Sequence, residues 1–256
     1  MMNTPRLNAI RSAAGTDGLD NEVERIDWAQ IDRVFLDLDG TLLDLHFDNH
    51  FWLEHVPLRY AEARGMAPAE ATVELRKRYR DIEGTLNWYC IDHWSRELGL
   101  DIALLKQEVE HLIAVHPRVI DFLDALAERG KRRVLVTNAH QKALALKLDR
   151  TRLGGHFEQI ICAHDLGLAK ETPGFWSQVA TIEPFDRTRT LFIDDNPHVL
   201  NAARAFGFRW LLAVAQPDSR GPRHSFTDYG TIGDFGELLP GLLKDAIQSA
   251  QVADGS

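Results

Sequence analysis

The sequence predicts an α/β fold, in which a doubly wound, Rossmann-like parallel sheet carries an inserted helical domain. Three observations lead to this prediction. Short runs of Val, Ile, Leu and Phe recur along the chain, helical patterns separate them, and a long segment after the first run lacks any strand pattern. Near-continuous apolar runs are typical of parallel strands that are covered on both faces. Their alternation with helices indicates an open parallel sheet.

Five apolar runs are predicted as strands, and the helices between them carry start signals. Pro117 opens an apolar helical segment. Thr172 and Pro173 are predicted as an N-cap and the first helical residue, and Asn196 and Pro197 repeat that pair. The predicted strands are residues 33–37, 133–137, 159–162, 190–194 and 209–212.

The segment after Asp44 interrupts the alternation with about 70 helix-rich residues, too many for a loop. We call residues 45–116 the insert and expect a helical cap domain above the sheet. Its helices are predicted at residues 51–64, 68–83, 87–98 and 102–115, with Asp101 as an N-cap. The predicted parts of the chain are a poorly ordered leader (1–26), a core domain (27–44 and 117–242), the cap (45–116) and a tail (243–256).

The composition disfavours several classes of protein. A formal net charge of −9 argues against a nucleic-acid binder, because phosphate backbones attract basic surfaces. No apolar run approaches the roughly 18 residues of a membrane span, and the first residues lack the apolar stretch of a signal peptide. The distant Cys90 and Cys162 make neither a disulfide framework nor a zinc spacing. We therefore expect a cytoplasmic protein that binds neither membranes nor nucleic acids.

The residues that could carry chemistry stand where predicted strands end. In an open parallel sheet, ligands bind outside the carboxyl ends of the strands. Acidic, amide, hydroxyl and ammonium groups all fall at or soon after these ends. They are Asp37 and Asp39 after the first strand, Thr137 and Asn138 at the second, Lys170 after the third, and Asp194 and Asp195 at the fourth.

This set suits magnesium-assisted phosphoryl transfer, which needs charge neutralisation more than covalent chemistry. Mg²⁺ takes oxygen ligands, typically one or two carboxylates together with phosphate and water. We predict Asp37 and Asp195 as direct ligands, the backbone carbonyl of Asp39 beside them, and Asp194 behind them, held by Lys170 or by water. Asp37 is the predicted nucleophile. Asp39 is predicted to protonate the leaving oxygen and then to activate water.

Three further residues are predicted to bind the phosphate. Thr137 and Asn138 precede a helix start, where phosphate oxygens are favoured, and Lys170 supplies a point charge. Each signal alone has a structural alternative: an Asp-x-Asp pair is common in surface loops, and Asp194 with Asp195 could cap a helix. A cluster of uncompensated carboxylates would repel itself, so their ordered recurrence at strand ends favours the functional interpretation.

These residues resemble the four ordered motifs of the haloacid dehalogenase superfamily. The motifs are Asp37-Leu38-Asp39-Gly40-Thr41-Leu42, Thr137-Asn138, Lys170 and Asp194-Asp195. The resemblance spans about residues 31–212, and the insert is similar to that superfamily's helical cap of the first type. Members with a second aspartate in the first motif are typically phosphatases or phosphomutases, and the dehalogenases lack it. The resemblance therefore implies phosphate chemistry through Asp39.

Two stretches of the insert, residues 44–52 and 85–90, are similar to the cap segments of bacterial purine nucleotidases that act on GMP and IMP. Those enzymes hydrolyse a nucleoside 5′-monophosphate, so the likeness implies a small purine phosphomonoester as the partner. One departure is visible. Many superfamily members have Pro directly after the third-motif lysine, whereas Lys170 is followed by Glu171, Thr172 and Pro173. The order of the motifs is unaffected.

Polar and aromatic residues of the insert are candidate substrate contacts. Aromatic faces stack on bases with about 1–3 kcal/mol per base, and amides could read base edges. Trp88 has an alternative place in the apolar core of the cap, because it shares helical spacing with Trp94 and Leu98. The candidates are Asn49, Trp52, Asn87 and Trp88, with Phe47, Phe51 and Tyr89 as further flat faces.

Other functions remain open at this point. The same superfamily chemistry would serve a phosphoglycolate or sugar phosphate phosphatase, or a phosphomutase. An interaction protein without enzymatic activity is disfavoured, because every charged position of the motifs is filled. The expected function is hydrolysis of purine nucleoside 5′-monophosphates with Mg²⁺ as the cofactor.

Overall fold

The computed structural model describes residues 26–243 and confirms the predicted parallel sheet. Its strands are β1 (Arg33–Leu36), β2 (Arg132–Thr137), β3 (Gln159–Cys162), β4 (Thr190–Asp194), β5 (Trp210–Val214) and β6 (Gly230–Ile232). They lie in the order β3-β2-β1-β4-β5-β6, and all neighbouring pairs are parallel. The strand order reverses at β1, which is where open α/β sheets bind ligands. The predicted leader and tail lie outside the described residues, apart from Ile26 and Leu243.

The first five strands agree with the predicted runs to within two residues at each end, whereas β6 was not predicted. It consists of three residues, too few for a periodic signal. It forms against β5, where Leu212 pairs with Gly230 and Val214 with Ile232. The partner strand, rather than the local sequence, therefore decides its conformation.

Helices separate the strands as predicted. Those of the insert are α1 (His46–His50), α2 (Val56–Arg64), α3 (Pro68–Ile82), α4 (Ile91–Leu98) and α5 (Ile102–Glu108). The later ones are α6 (Val119–Glu128), α7 (Gln141–Thr151), α8 (Ala163–Leu166), α9 (Phe175–Ile182) and α10 (Pro197–Phe206). A π turn, Phe51–His55, joins α1 to α2, and 3₁₀ turns lie at Trp28–Gln30, Leu86–Tyr89, Glu110–Leu112, Leu153–His156 and Phe235–Leu238. Within residues 26–243, no helix combines the length and the apolar character needed to cross a membrane.

The two faces of the sheet carry separate apolar clusters, as the period of two in a strand requires. Val34 and Leu36 of β1 belong to one cluster, which includes Phe122 of α6. Phe35, between them, belongs to the other, which includes Val179 of α9. Helices on both faces explain why the strands are apolar at almost every position, and they make the sheet doubly wound.

The insert packs its helices around a third apolar cluster. Phe47, Phe51 and Trp94 are buried there, together with Leu75 of α3. Ala143 of α7 belongs to the same cluster, so the insert rests on the helix that follows β2. This arrangement is what a cap on the carboxyl edge of the sheet would need.

Several predicted caps are confirmed by side-chain hydrogen bonds. The carboxylate of Asp101 accepts the backbone N–H of Leu104 at 3.0 Å, and the side chain of Asn196 accepts that of His198 at 3.0 Å. These bonds satisfy N–H groups that have no partner within their helices.

Other predicted helix bounds were wrong. Thr172 and Pro173 lie in a turn, because Gly174 adopts a left-handed conformation (φ 92°) and α9 begins only after it. Arg118, also left-handed (φ 63°), delays α6 beyond Pro117. In the insert, extended Cys90 separates a 3₁₀ turn from α4 where one helix was predicted. Predicted residues 102–115 are α5 followed by a 3₁₀ turn.

Candidate active site

The sheet brings the predicted strand-end residues to one edge. Asp37 directly follows β1, whose last residue, Leu36, pairs with Leu135 of β2 and Ile193 of β4. The carboxyl ends of three adjacent strands therefore meet at the point where the strand order reverses. A pocket opens there. The predicted site residues on its wall are Asp37, Asp39, Thr137, Asn138, Lys170, Asp194 and Asp195.

Three carboxylates form the centre of this pocket. Oxygen atoms of Asp37, Asp194 and Asp195 lie within 4.8 Å of one another. The three residues are 5%, 1% and 4% exposed, so water screens their charges poorly. Oxygen donors at this spacing are the ligands that a hard divalent cation takes.

Lys170 supplies one positive charge to this group. Its ammonium donates to Asp37 Oδ1 at 2.5 Å, to Asp194 Oδ2 at 2.7 Å and to the carbonyl of Val136 at 3.3 Å. Burial alone would lower the pKa of Lys170, but the attraction of Asp194 and Asp37 outweighs it and raises this pKa above its ordinary value. The lysine is therefore charged at neutral pH.

The negative charge of the centre exceeds what Lys170 neutralises. Burial raises the pKa of Asp37 to about 6, although Lys170 opposes this shift, and repulsion from Asp194 adds to it. Burial likewise raises the pKa of Asp194 to about 6, against Lys170 and with the help of Asp195. Groups that resist ionisation in this way favour a bound cation. The residues present therefore fit a hard divalent metal ion.

Asp39 lies beside this centre but belongs to a different set of contacts. Its Oδ1 lies 2.7 Å from the ammonium of Lys147, and its carboxylate is outside the group formed by Asp37, Asp194 and Asp195. Burial raises the pKa of Asp39 to about 6, against the attraction of Lys147 and with repulsion from Asp48. The three carboxylates predicted around the metal, those of Asp37, Asp194 and Asp195, are gathered. The carboxylate of Asp39, of which only the backbone carbonyl was predicted as a ligand, contacts Lys147 instead.

The turn after β1 places Asp39 by means of Gly40. The Gly40 N–H donates to the carbonyl of Leu43 at 2.8 Å, and its φ of 88° is in the left-handed region. A β-carbon on Gly40 would lie 2.6 Å from Oδ2 of Asp195. Glycine is thus required both for the backbone conformation and for the approach of the turn to the carboxylates.

Replacement of this glycine is expected to damage the site. In Gly40→Ala the methyl group would displace the carboxylate of Asp195, so we expect kcat/KM to fall by at least about tenfold, as small misplacements in active sites commonly do. Gly65→Ala is the matched control, because Gly65 also has a positive φ (64°) but nothing within 4 Å of the added carbon. Steady-state kinetics and thermal melts of both variants check this. Equal kcat/KM in the two would contradict it.

Thr137 and Asn138 face the same pocket but make different bonds. The hydroxyl oxygen of Thr137 accepts the backbone N–H of Ala139 at 3.0 Å. The side chain of Asn138 accepts the backbone N–H of Lys170 at 2.9 Å and donates to Glu171 at 2.9 Å. The amide of Asn138 therefore positions the lysine loop.

The four predicted substrate contacts of the insert have different surroundings from one another. Asn49 donates to Asp218 Oδ2 at 2.7 Å, and Asn87 is exposed. Trp52 packs edge-on against Tyr79, with ring centroids 5.7 Å apart, and Trp88 does the same at 5.7 Å. The structure thus favours a packing role for Trp52 and Trp88 and a docking role for Asn49. It also corrects the expectation of flat faces for Phe47 and Phe51, which are buried in the third cluster.

Tyr89 is the residue of the insert on the pocket wall. Its hydroxyl donates to Glu171 Oε1 at 3.0 Å, and Glu171 also accepts from Asn138. The residue that departs from the superfamily pattern after Lys170 therefore connects the insert to the core beside the pocket. The departure itself was the sequence signal for Glu171.

Sequence reasoning missed Lys147, which is 2% exposed on α7. It contacts Asp39 and also Asp48 of the insert, each at 2.7 Å. The spacing of three and four residues to Leu144 and Ala143, both buried, places Lys147 on the apolar face of its helix. A lysine on such a face is unusual and could have been noticed.

A second group of potential ligands lies between the insert and α7. Donor atoms of Cys90, His140 and His164 lie within 4.8 Å of one another. Nδ1 of His140 accepts the backbone N–H of Lys142 at 3.3 Å, which places the ring proton of the neutral imidazole on Nε2. Its Nε2 lies 3.7 Å from Oδ2 of Asp92 in the insert. We assign this group to packing of the insert against α7 and against α8, which carries His164.

Comparisons with known proteins agree with this geometry. The sequence model of a family described as haloacid dehalogenase-like hydrolase matches residues 31–207. The chain is 42% identical over 218 residues to GMP/IMP nucleotidase YrfG of Escherichia coli (strain K12), covering 85% of this chain and 98% of that protein. It is 27% identical over 224 residues to a phosphoglycolate phosphatase of Pseudomonas fluorescens (strain Pf0-1), covering 84% and 81%.

A solved structure shares the fold. The crystal structure of a HAD phosphatase from Thermococcus onnurineus superposes with a TM-score of 0.70 and 20% identity, and the match covers 82% of this chain and 97% of that one. The family match includes every strand-end residue of the pocket. The chain therefore belongs to the haloacid dehalogenase-like hydrolase family and is an enzyme, a hydrolase.

Proposed function

We propose that this enzyme is a magnesium-dependent phosphatase that hydrolyses purine nucleoside 5′-monophosphates of the GMP and IMP type to nucleoside and phosphate. The observation that carries the chemistry is the group of buried carboxylates, Asp37, Asp194 and Asp195, around Lys170 at the reversal of strand order. The purine preference rests on the 42% identity to a GMP/IMP nucleotidase over most of both chains.

The metal would be held by Asp37 and Asp195, with Asp194 and the backbone carbonyl of Asp39 completing the protein's share of the site. Bound Mg²⁺ would neutralise negative charge on the carboxylates and the phosphate. Asp194 also keeps the ammonium of Lys170 in place through its bond of 2.7 Å. That ammonium then places a positive charge where an oxygen of the transferring phosphoryl group would lie.

Asp37 is the proposed nucleophile. A carboxylate oxygen attacks phosphorus, the bond between phosphorus and the 5′ oxygen breaks, and an aspartyl-phosphate forms. Asp39 gives its proton to the leaving oxygen, so the nucleoside departs as a neutral alcohol. Its raised pKa, about 6, keeps a protonated fraction near neutral pH. In the second step Asp39 takes a proton from water, which attacks phosphorus and restores the carboxylate of Asp37.

Thr137 and Lys170 are the proposed phosphate contacts. Because the oxygen of Thr137 already accepts from Ala139, its own hydroxyl hydrogen can be donated to a phosphate oxygen. Asn138 contributes by holding the backbone of Lys170, whose N–H its side-chain oxygen accepts. Together these groups would orient the phosphate for attack by Asp37.

We propose that residues 45–116 act as the cap domain over a core formed by residues 27–44 and 117–242. A cap would exclude bulk water and select the leaving group. Tyr89 lies on the pocket wall, and Asn87 and Trp88 precede it in the same 3₁₀ turn. We assign Tyr89 and Asn87, rather than Asn49, Trp52 and Trp88, to the nucleoside.

The unpaired thiols of Cys90 and Cys162 suit the cytoplasm, where we propose that the enzyme works.

A panel of phosphomonoesters tests this function. With Mg²⁺ present, we expect phosphate release from GMP and IMP with kcat/KM at least about tenfold above that for AMP, phosphoglycolate and ribose 5-phosphate, since one well-placed polar contact gives discrimination of that order. Preference for phosphoglycolate would favour the activity named for the 27% identical relative. An isomer in place of free phosphate would indicate a phosphomutase, and no product with any ester would refute the phosphatase.

A further inference from the structure

Four charged side chains, two buried lysines and two half-buried aspartates, form a continuous chain from Asp39 into the insert. Lys147 Nζ lies 2.7 Å from Asp39 Oδ1 and 2.7 Å from Asp48 Oδ2, and Lys106 Nζ lies 2.8 Å from Asp48 Oδ1. The side chains of the two lysines are 3% or less exposed. Acidic and basic side chains alternate along this row, so each of the two inner residues contacts two side chains of the opposite charge.

The members of this row come from two parts of the molecule. Asp39 lies in the turn after β1 and Lys147 on α7, both in the sheet-bearing part. Asp48 lies on α1 and Lys106 on α5, both in the insert. The ammonium of Lys147 is therefore shared between the turn that carries Asp39 and the first helix of the insert.

The far end of the row is fixed within the insert. Lys106 Nζ lies 4.7 Å from the ring centroid of Phe47 and 4.3 Å from that of Phe51, inside the third apolar cluster. An ammonium over aromatic faces gains attraction from both rings. Asp48 is thereby held by Lys106, which belongs to the insert itself, and its other oxygen contacts Lys147.

We propose that Lys147 is a positioning residue that makes the orientation of the Asp39 carboxylate depend on the docked position of the insert, through Asp48. This inference rests on the proposed function, in which Asp39 protonates the leaving oxygen. With the insert docked, both contacts of Lys147 are made and Asp39 is held. With the insert displaced, Lys147 would keep a buried charge with half its partners, a state that low polarity disfavours. The acid would thus be in place only when the cap covers the substrate.

Leaving-group dependence separates this role from a merely structural one. A nucleoside 5′-oxygen needs a proton to depart, whereas p-nitrophenolate departs without one. In Lys147→Met, we expect single-turnover release of nucleoside from GMP to fall by about 10- to 100-fold, which is part of the roughly 10²- to 10⁴-fold that general acid catalysis supplies. Release of p-nitrophenol from p-nitrophenyl phosphate should fall by less than about threefold. Lys147→Arg, which keeps the charge, should restore most of the nucleoside rate.

Two further variants locate the effect. Asp48→Asn removes the link to the insert but leaves Lys147 beside Asp39, and we expect a smaller loss with the same bias towards GMP. The double variant should be no slower than Lys147→Met alone, since the two act in series. Lys142→Met is the control: Lys142 lies on the same helix and contacts Asp92 of the insert at 2.6 Å, but it is exposed, so both rates should stay unchanged.

The outcomes are distinct. Equal losses with GMP and p-nitrophenyl phosphate in Lys147→Met, or additive losses in the double variant, would overturn the inference while leaving the phosphatase intact. If Lys147→Met does not fold, Asp48→Asn decides by the same ratio of rates. Failure of the parent enzyme to release phosphate from either ester would refute the proposed function itself.

Discussion

Asp37→Asn is expected to abolish turnover, with kcat lowered by at least about 10⁴-fold, as removal of a catalytic nucleophile typically does. The amide of Asn cannot attack phosphorus, so no covalent phosphoryl group should form on the protein. Lys170 keeps its bond to Asp194 in this variant, so the pocket retains its charge pair. Steady-state phosphate release and acid-quench trapping of labelled phosphate on the protein provide the measurements.

A stability measurement shows whether this loss is chemical or structural. The pKa of Asp37 is raised from 3.8 to about 6 by burial, so the ionised carboxylate costs stability at pH 7 in the metal-free protein. Metal-free Asp37→Asn should therefore melt at the same temperature as the parent protein or higher. If the variant is inactive but also melts well below the parent protein, the loss could be structural, and the assignment of Asp37 as nucleophile would lack support. A variant that still turns over would refute it.

Removal of Mg²⁺ is expected to have the second largest effect. With EDTA present, phosphate release should fall by at least about 100-fold, because the charges of Asp37, Asp195 and the phosphate then oppose one another. Titration with Mg²⁺ should restore the rate. The same ion should raise Tm, since it binds the folded site; a concentration of 100 times Kd contributes about 2.7 kcal/mol, or roughly 5–10 °C for a domain of this size.

The pH dependence of this stabilisation has a definite sign. Asp37 and Asp194 have folded-state pKa values raised from 3.8 to about 6. In the metal-free protein their contribution to stability is present below about pH 4 and is lost as pH rises through 6. Protons compete with the ion over the same range. The Tm increase caused by Mg²⁺ should thus be small at pH 5 and grow towards pH 8. An increase that is independent of pH would contradict a site built on these carboxylates.

The sheet and the pocket were predictable to a large extent because their signals are local. Parallel strands covered on both faces are apolar at almost every position, so β1 and β4 stand out in the sequence. Since the carboxyl ends of parallel strands share one edge, Asp37, Thr137 and Asp194 could be placed together without coordinates. To predict that these residues lie close together, only the order of the strands and helices along the chain was needed.

The insert and several helix bounds were less predictable, because one amino-acid type can serve several structural purposes that residue spacing does not distinguish. A tryptophan that could stack on a base is also a good core residue, and Trp52 packs against Tyr79. Thr172 and Pro173 carry a sound helix-start signal, yet Gly174 overrides it with a left-handed conformation. In the first case a neighbour in space, and in the second the backbone conformation of the following glycine, decided between two locally acceptable outcomes.

By itself, the sequence determined the parallel sheet, the helical insert and the gathering of acids and a lysine at one edge, because each follows from local periodicity and the direction of the strands. Only the tertiary structure decided that Asp39 is held by Lys147, and Lys147 by Asp48. Lys147 and Asp48 are 99 positions apart, and Lys106 and Asp48 are 58 apart. Pairing between charges at such separations leaves no period in the sequence. It depends on burial that removes water from both partners at once, which only the packed chain provides.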